Sequence, residues 1–232
     1  MNNVHLSVII PTFNEKDNIV KMIRKIQKLI KTLDYEIIIV DDNSPDSTGT
    51  YAKSSFFDDS RIRVLIRKQN CSLGKSIYLG IEKARGNIIV GMDGDGNHNP
   101  DDLLSLIDKI GYYDLVICSR FIKGGGMHYK LRFLTSLCVN KIIKIILKSR
   151  INDLTSGYYA IKQKKLKNLP LKKIYYGYGD YFIRLVYYAE KKGISVYELP
   201  CFFTDRWSGQ SKSRLWRMAL DYISLSFRLR YL

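Results

Sequence analysis

The sequence predicts an α/β fold: a mostly parallel, Rossmann-like sheet with flanking helices, followed by basic amphipathic helices in the second half. Three observations predict it. Over residues 1–120 apolar runs alternate with amphipathic segments, the apolar runs are unbroken, and the residues that follow them are polar and acidic. Unbroken Val/Ile runs suit strands covered on both faces, and strand–helix alternation builds a parallel sheet with crossover helices.

In chain order the strands fall at LSVIIP (6–11), YEIIIVDD (35–42), IRVLI (62–66), NIIVGMD (87–93) and DLVICS (114–119). Helical segments separate them at 15–30, 46–56, 74–85 and 100–110. The last opens on Asn99-Pro100-Asp101-Asp102, a polar cap, a proline for the first turn and acids at the positive helix end. In the second half, 131–148 places Arg132, Ser136, Asn140, Lys144 and Lys148 four apart along an otherwise apolar helix. The tail 214–232 repeats the design with Arg214, Arg217, Asp221, Ser224 and Arg228, and a further helix is expected at 180–192. Such helices pack on the protein's own core or lie in a membrane interface.

At 232 residues with 46% hydrophobic content the chain can bury the core of one folded domain. No secretory signal opens it, and no apolar run reaches the ~18 residues that a membrane-spanning helix needs. Cys71, Cys118, Cys138 and Cys201 form no CxxC pair, which argues against zinc and predicts reduced thiols buried as small hydrophobes. The net charge of +16 is placed unevenly: residues 1–120 balance, whereas 121–232 hold 22 basic and 6 acidic residues. That asymmetry points to an anionic partner of the second half, namely nucleic acid, anionic lipid or a phosphate compound.

Ligands of open α/β sheets bind at the carboxyl ends of the strands. Those ends read Pro11-Thr12-Phe13-Asn14-Glu15, Asp41-Asp42-Asn43-Ser44, Arg67 and Asp93-Gly94-Asp95. Asp93 and Asp95 share one face if the strand runs through them, and two such carboxylates repel unless a cation sits between them. One edge lined by carboxylates suits a ribose or base together with a divalent cation carrying a diphosphate. Other sites fit worse. A calcium loop started at Asp93 fails at His98 and Leu104, and no GxGxxG, P-loop or GxSxG motif occurs. A mere capping role for Asp93 and Asp95 competes with Asn99, which already caps the next helix.

With these motifs in place the chain resembles the family 2 glycosyltransferases, and among them the dolichyl- and polyprenyl-phosphate sugar synthases. The resemblance runs from about residue 6 to about residue 212 through SVIIPTFNE, IIIVDDNSPDST, LGKSIYLGIEKARG, MDGDGNHNPDDL, ICSRFIKGGG, DLTSGYYAI and RWSGQSK. It implies a GT-A fold over 1–212, with a nucleotide-sugar half (1–120) and an acceptor half (121–212), then an amphipathic C-terminal helix (213–232). It implies that Pro11, Asn14, Glu15, Asp42 and Lys75 hold the donor. Asp93 and Asp95, with Asn97 where the branch usually has glutamine, match its metal motif for Mg²⁺ or Mn²⁺. Arg120, Arg132 and Ser136 match positions that grip the acceptor phosphate, and Arg206 and Lys212 match a basic lid over the donor. Where the branch tends to carry a glutamate this chain has Arg184, with Asp180 four residues earlier, so Asp180 becomes a site residue of open role.

The implied reaction moves a hexose from a GDP-mannose or UDP-glucose type donor to polyprenyl or dolichyl phosphate, with inversion. A phosphate monoester is largely dianionic at neutral pH and needs orientation more than a base, for which arginine's forked donors suit. A sugar hydroxyl would need a carboxylate base, and Asp180 is then the candidate. The lipid acceptor implies a peripheral protein on the cytoplasmic face of the membrane, its two basic helices meeting anionic headgroups. The remaining alternative is a nucleic-acid-binding module. It draws on the charge and the 17 tyrosines, but Tyr175, Tyr176, Tyr178, Tyr181, Tyr187 and Tyr188 sit among apolar neighbours and no RNA-reading motif occurs. No nucleic-acid partner is expected.

Overall fold

The computed structural model describes residues 6–69, 71–209 and 215–231. Its seven-stranded sheet runs β3(Ile62–Ile66), β2(Tyr35–Asp41), β1(Leu6–Thr12), β4(Ile88–Gly91), β7(Tyr159–Lys162), β5(Leu115–Ser119), β8(Val196–Pro200) across its width. Parallel pairing links β3, β2, β1 and β4, and again β5 and β8. β7 is antiparallel to both its neighbours, β4 and β5. This short strand, YAIK, was not foreseen. Four residues carry too little periodicity to be told from a loop.

The unbroken apolar runs have the predicted cause. Val8, Ile10, Ile37, Ile39, Val90 and Val116 enter one buried cluster, while Ile9, Ile89, Leu115, Ile117, Tyr159 and Ile161 enter another on the opposite face. On the first face Ile19, Met22, Ile23 and Ile26 of α1(Lys16–Leu29) join Leu103, Leu106 and Ile110 of α4(Leu103–Ile110). A single 3-10 turn, Pro100–Asp102, precedes α4, capped by Asn99 as the sequence predicts. α2(Thr48–Ser55) follows β2, and α3(Leu73–Lys83) covers the second face with Ile77 and Ile81. There it is joined by α5(Lys130–Leu147), α8(Tyr181–Lys191) and α9(Leu215–Tyr231). Two short helices, α6(Gln163–Lys167) and α7(Leu171–Ile174), connect β7 to α8, and a two-residue ladder pairs β6(Gly126–Met127) with β9(Phe202–Phe203).

Two expectations need correction. Cys118 and Cys201 are joined, with Cα atoms 5.3 Å apart, and Cys71 and Cys138 are exposed, so the four are not uniformly buried free thiols. The β5–β8 register, which sets Cys118 opposite Leu199, brings together residues 83 apart in sequence. The polar stripe of α5 also faces the opposite way from an ordinary surface helix. Asn140 is buried and donates to Thr155 Oγ1 (2.8 Å), and Lys144 donates to Asn152 Oδ1 (2.6 Å). Leu131, Leu134, Ile142 and Ile145 are exposed instead. No helix among the described residues is long and apolar enough to cross a membrane.

Candidate active site

The carboxyl ends of β1, β2 and β4 open into one cleft of about 310 Å³, lined among others by Pro11, Phe13, Glu15, Asp42, Asp93, Asp95, Tyr178 and Arg206. Each wall follows from a strand end. β1 stops as Asn14 turns left-handed (φ 53°), a conformation asparagine tolerates, and its amide is held by Ser44 Oγ (3.0 Å). Beyond β2, Asp42 accepts from Arg67 (2.7 Å) and Ser76, which fix it against α3. Enclosure pushes its carboxyl above the ordinary range, although Arg67 and Ser76 oppose the shift.

After β4 the chain turns tightly. Asp95 Oδ1 accepts from the Asn97 amide (2.9 Å), and Gly96 takes a φ of +88° beneath Trp207. A Cβ at Gly96 would lie 2.5 Å from the indole, so only glycine lets that ring close on the turn. Trp207 in turn donates its amide to Asp95 O (3.0 Å). Its neighbour Arg206 reaches Asp95 Oδ2 with Nη1 (2.8 Å) and Glu15 Oε1 with Nη2. Asp93 looks into the cleft beside them. Desolvation, with the like charges of Asp95 and Glu15, pushes its carboxyl above the ordinary range, against the pull of His98 and Arg206.

A second cluster lies in the half expected to bind the acceptor. Arg120 is buried, its Nε and Nη2 on the two oxygens of Asp153 (2.7 Å each) and Nη2 also on Thr155 (2.8 Å). The guanidinium lies 4.9 Å from the rings of both Phe121 and Phe203. Thr155 accepts from Asn140 of α5, whose Oδ1 takes the Leu154 amide (2.8 Å). Glu198 of β8 fixes the same loop through the amides of Asn152 (3.0 Å) and Asp153 (3.1 Å). Arg132 and Ser136, half-buried, lie on α5 two turns and one turn before Asn140 respectively.

A model described as glycosyl transferase family 2 matches residues 7–191. The chain belongs to that family. It is 33% identical over 212 residues to the "Polyprenol monophosphomannose synthase" of Mycolicibacterium smegmatis, covering 88% of this chain and 79% of that one. It is 30% identical over 230 residues to the "Dolichol-phosphate mannosyltransferase" of Pyrococcus furiosus, covering 97% of this chain and 63% of the relative. Among solved structures it is similar to glucosyl-3-phosphoglycerate synthase of Mycobacterium tuberculosis in complex with Mn²⁺, uridine diphosphate and phosphoglyceric acid. That match has a TM-score of 0.74 at 20% identity, covering 98% of this chain and 78% of that one. The fold of this glycosyltransferase is therefore of the GT-A type.

The transferase brings together most of the donor residues expected from its sequence. Pro11, Glu15, Asp42, Asp93, Asp95 and Arg206 line one cleft. Asn14 shapes the turn beside it rather than lining it. Lys75 is not among the residues that line the cleft. It is exposed, because α3 turns Gly74 and Ser76 inward, and Ser76 is the residue of that helix that reaches Asp42. Lys212 lies outside the described residues. Arg120 is not an open phosphate ligand, since Asp153 and Thr155 take two of its nitrogens. Asp180 is held by the buried Arg184 (2.6 Å) at the start of α8.

Sequence reasoning named no role for His98, Asp153 or Glu198. DLTSGYYAI and the histidine of DGDGNHNP were visible signals for the first two; Glu198 stands in a strand, VYELP, that carries none. The donor set fits a hard cation on one observation: two carboxylates, Asp95 and Glu15, already converge on a single positive group, the Arg206 guanidinium. Asn97 donates its amide nitrogen to Thr204 O, so Oδ1 is the atom it still offers.

Proposed function

We propose that the protein is an inverting transferase that moves a hexose from a nucleotide sugar to the phosphate of a polyprenyl or dolichyl phosphate at a membrane surface. One observation carries the choice of acceptor. Of the carboxylates proposed for the acceptor side, Asp153 and Asp180 are each held by an arginine, Arg120 and Arg184, and Glu198 accepts from Ser119, Asn152 and the Asp153 amide. An ion-paired carboxylate is a poor proton acceptor. A phosphate acceptor needs no such base. The printed names of the relatives at 30% and 33% identity point the same way.

In this function Asp42, Pro11 and Glu15 hold the nucleoside end of the donor. Asp93 and Asp95, with Asn97 Oδ1, would hold Mg²⁺ or Mn²⁺, which supplies charge neutralisation for a departing diphosphate. Arg206 adds a fixed positive charge on the leaving group's side. Its Nε is buried and finds no partner among the described residues, a donor that a diphosphate oxygen would satisfy. Arg132 and Ser136 receive the acceptor phosphate, aligned on a helix that Asn140 ties to the Arg120 loop. The phosphate oxygen then attacks the anomeric carbon in line while the carbon–diphosphate bond breaks.

Docking on the bilayer that holds such an acceptor is supported by two apolar columns. On α5, Leu131, Leu134, Cys138, Ile142 and Ile145 recur at helical spacing on the exposed side, and on α9 Trp216, Leu220, Phe227 and Tyr231 do the same. Ile145 is 76% exposed and Trp216 82%. Lys141, Lys148, Arg217 and Arg228 are exposed on the same helices, the arrangement of a helix lying in an anionic interface on the cytoplasmic face.

The acceptor is tested by offering the purified protein polyprenyl phosphate, the unphosphorylated polyprenol and a free glycan. Transfer to the phosphate alone, retained by Asp180→Asn, is the expected result. Transfer to a hydroxyl that Asp180→Asn abolishes would replace this function with a glycan-extending one.

A further inference from the structure

His98 is buried at the place where the donor and acceptor clusters meet, its Nε2 3.8 Å from Asp93 Oδ2. Its Nδ1 accepts the backbone N–H of Asp93 (2.9 Å). A ring nitrogen that accepts carries no hydrogen, so the proton of the neutral ring sits on Nε2. That atom lies 3.1 Å from Ser156 O and donates to it. The two bonds leave from opposite sides of one ring and tie the metal turn to the loop 153–156, which holds Arg120.

The ring has little freedom to break either bond alone. It stacks on Tyr158 (centroids 5.1 Å apart, 13° between planes) and takes the edge of Phe203 at 4.8 Å. Phe203 also lies 4.9 Å from the Arg120 guanidinium, and Thr204 beside it accepts from Asn97 and donates to Gly96 O (2.8 Å). Gly157 passes close by with φ +79°, and a Cβ there would lie 3.7 Å from His98 Cε1. Three segments therefore converge on one imidazole: the turn bearing Asp93 and Asp95, the loop that clamps Arg120, and the strand leading to Arg206.

We infer that His98 is a positioning residue that couples the two substrate sites. As the Nε2–H tautomer it sets Asp93 relative to the Arg120–Asp153 loop, so that the acceptor phosphate and the donor's anomeric carbon are held at one fixed separation. The inference rests on the donor and acceptor sites proposed above. A group that orients a ligand-bearing turn from behind typically changes metal affinity or turnover 10–100-fold when removed, and misplacing reactants by about an ångström costs on the order of 100-fold in rate.

Two substitutions separate the two bonds. Asparagine places an oxygen where Nδ1 stands and keeps the Asp93 bond, whereas glutamine places an amide nitrogen where Nε2 stands and keeps the Ser156 bond. We expect His98→Asn to keep the affinity for Mn²⁺ with nucleoside diphosphate, read by calorimetry, and to raise the acceptor KM roughly tenfold. We expect His98→Gln to weaken Mn²⁺–nucleoside diphosphate binding roughly tenfold and to keep the acceptor KM. Both should lose kcat, since both uncouple the sites. Equal losses in every parameter, or no loss, would overturn the inference.

Should the variants fail to fold, the tautomer is read in the wild-type chain by nitrogen NMR of the imidazole. The Nε2–H tautomer is expected; an Nδ1–H tautomer overturns it. The wild-type protein separates this failure from that of the parent function. Without wild-type transfer to polyprenyl phosphate both fall, whereas a working wild type with unsplit variants removes the coupling role alone.

Discussion

On the proposed donor side the polar groups come from the ends of successive parallel strands, each a few residues beyond a buried Val/Ile run. On the acceptor side they come from a helix, a loop and two strands that the chain order separates widely: Ser119 meets Glu198 across 79 residues, and Arg120 meets Asp153 across 33. The donor side also gathers four carboxylates around one cleft, Glu15, Asp42, Asp93 and Asp95, against two guanidinium groups, Arg206 between two of them and Arg67 on Asp42, so it keeps an excess of negative charge. On the acceptor side Asp153 and Asp180 are neutralised by arginine within the protein. The difference is one of balance: carboxylates outnumber arginines around the proposed donor cleft, whereas Asp153 and Asp180 each have an arginine of their own.

The largest expected effect breaks the donor side. Asp95→Ala removes one of the carboxylates proposed for the cation and the partner of Arg206. Transfer should fall about 100-fold or more with the far-ultraviolet circular dichroism unchanged, and chelation by EDTA should do the same to the wild-type protein. Near-wild-type transfer by either route would remove the metal from the account. Next in size is Arg132→Ala on the acceptor side. Loss of a charge-assisted phosphate contact should raise the acceptor KM about tenfold and leave nucleoside diphosphate binding untouched. A matching loss of donor affinity would mean that the two sides are not separate sites.

A subtler comparison concerns membrane contact. The exposed columns of α5 and α9 predict sedimentation with anionic liposomes at low salt, weakened by salt and by Trp216→Ser with Leu220→Ser. No binding at low salt would show that these faces serve something else. The smallest effect is thermodynamic. Burial, with Asp101 alongside, pushes the Asp102 carboxyl up to about 6. A raised carboxyl stabilises the fold while protonated, and that contribution is lost as pH rises through about 6. Asp102→Asn should therefore raise the melting temperature at pH 8, by about 1–2 kcal/mol in stability, by roughly half as much at pH 5, and change little below the unfolded carboxyl's ordinary range. An equal gain at both values would assign the effect to the helix start instead.

The same difference between the two sides decides what could be read from the sequence. β1 to β5 and the helices between them follow from local periodicity, and the strand-end motifs fall into the cleft because parallel strands deliver their carboxyl ends to one edge. β7 and β8 escaped notice, β7 because four residues between turns resemble a loop. With them went the loop 152–156 and Glu198, whose contacts depend on a register no local pattern encodes. Asn140 did stand in the visible polar stripe of α5, but a stripe alone does not say which way it faces. Its burial against Thr155 and Leu154 turns the helix so that one apolar column, Leu131 to Ile145, looks outward while Ile143 and Leu147 pack inward. Lys75 shows the limit of a motif segment: it is exposed and outside the cleft lining, while its neighbours Ser72 and Leu73 line it.

The most direct measurement is transfer of radiolabelled sugar by the purified protein, with Mn²⁺ or Mg²⁺, a panel of nucleotide sugars and polyprenyl phosphate. Label that enters the organic phase, depends on the cation and is lost in Asp95→Ala is the predicted result. Label that stays in water with polyprenyl phosphate present, while a glycan hydroxyl accepts it, would contradict the account and return attention to Asp180.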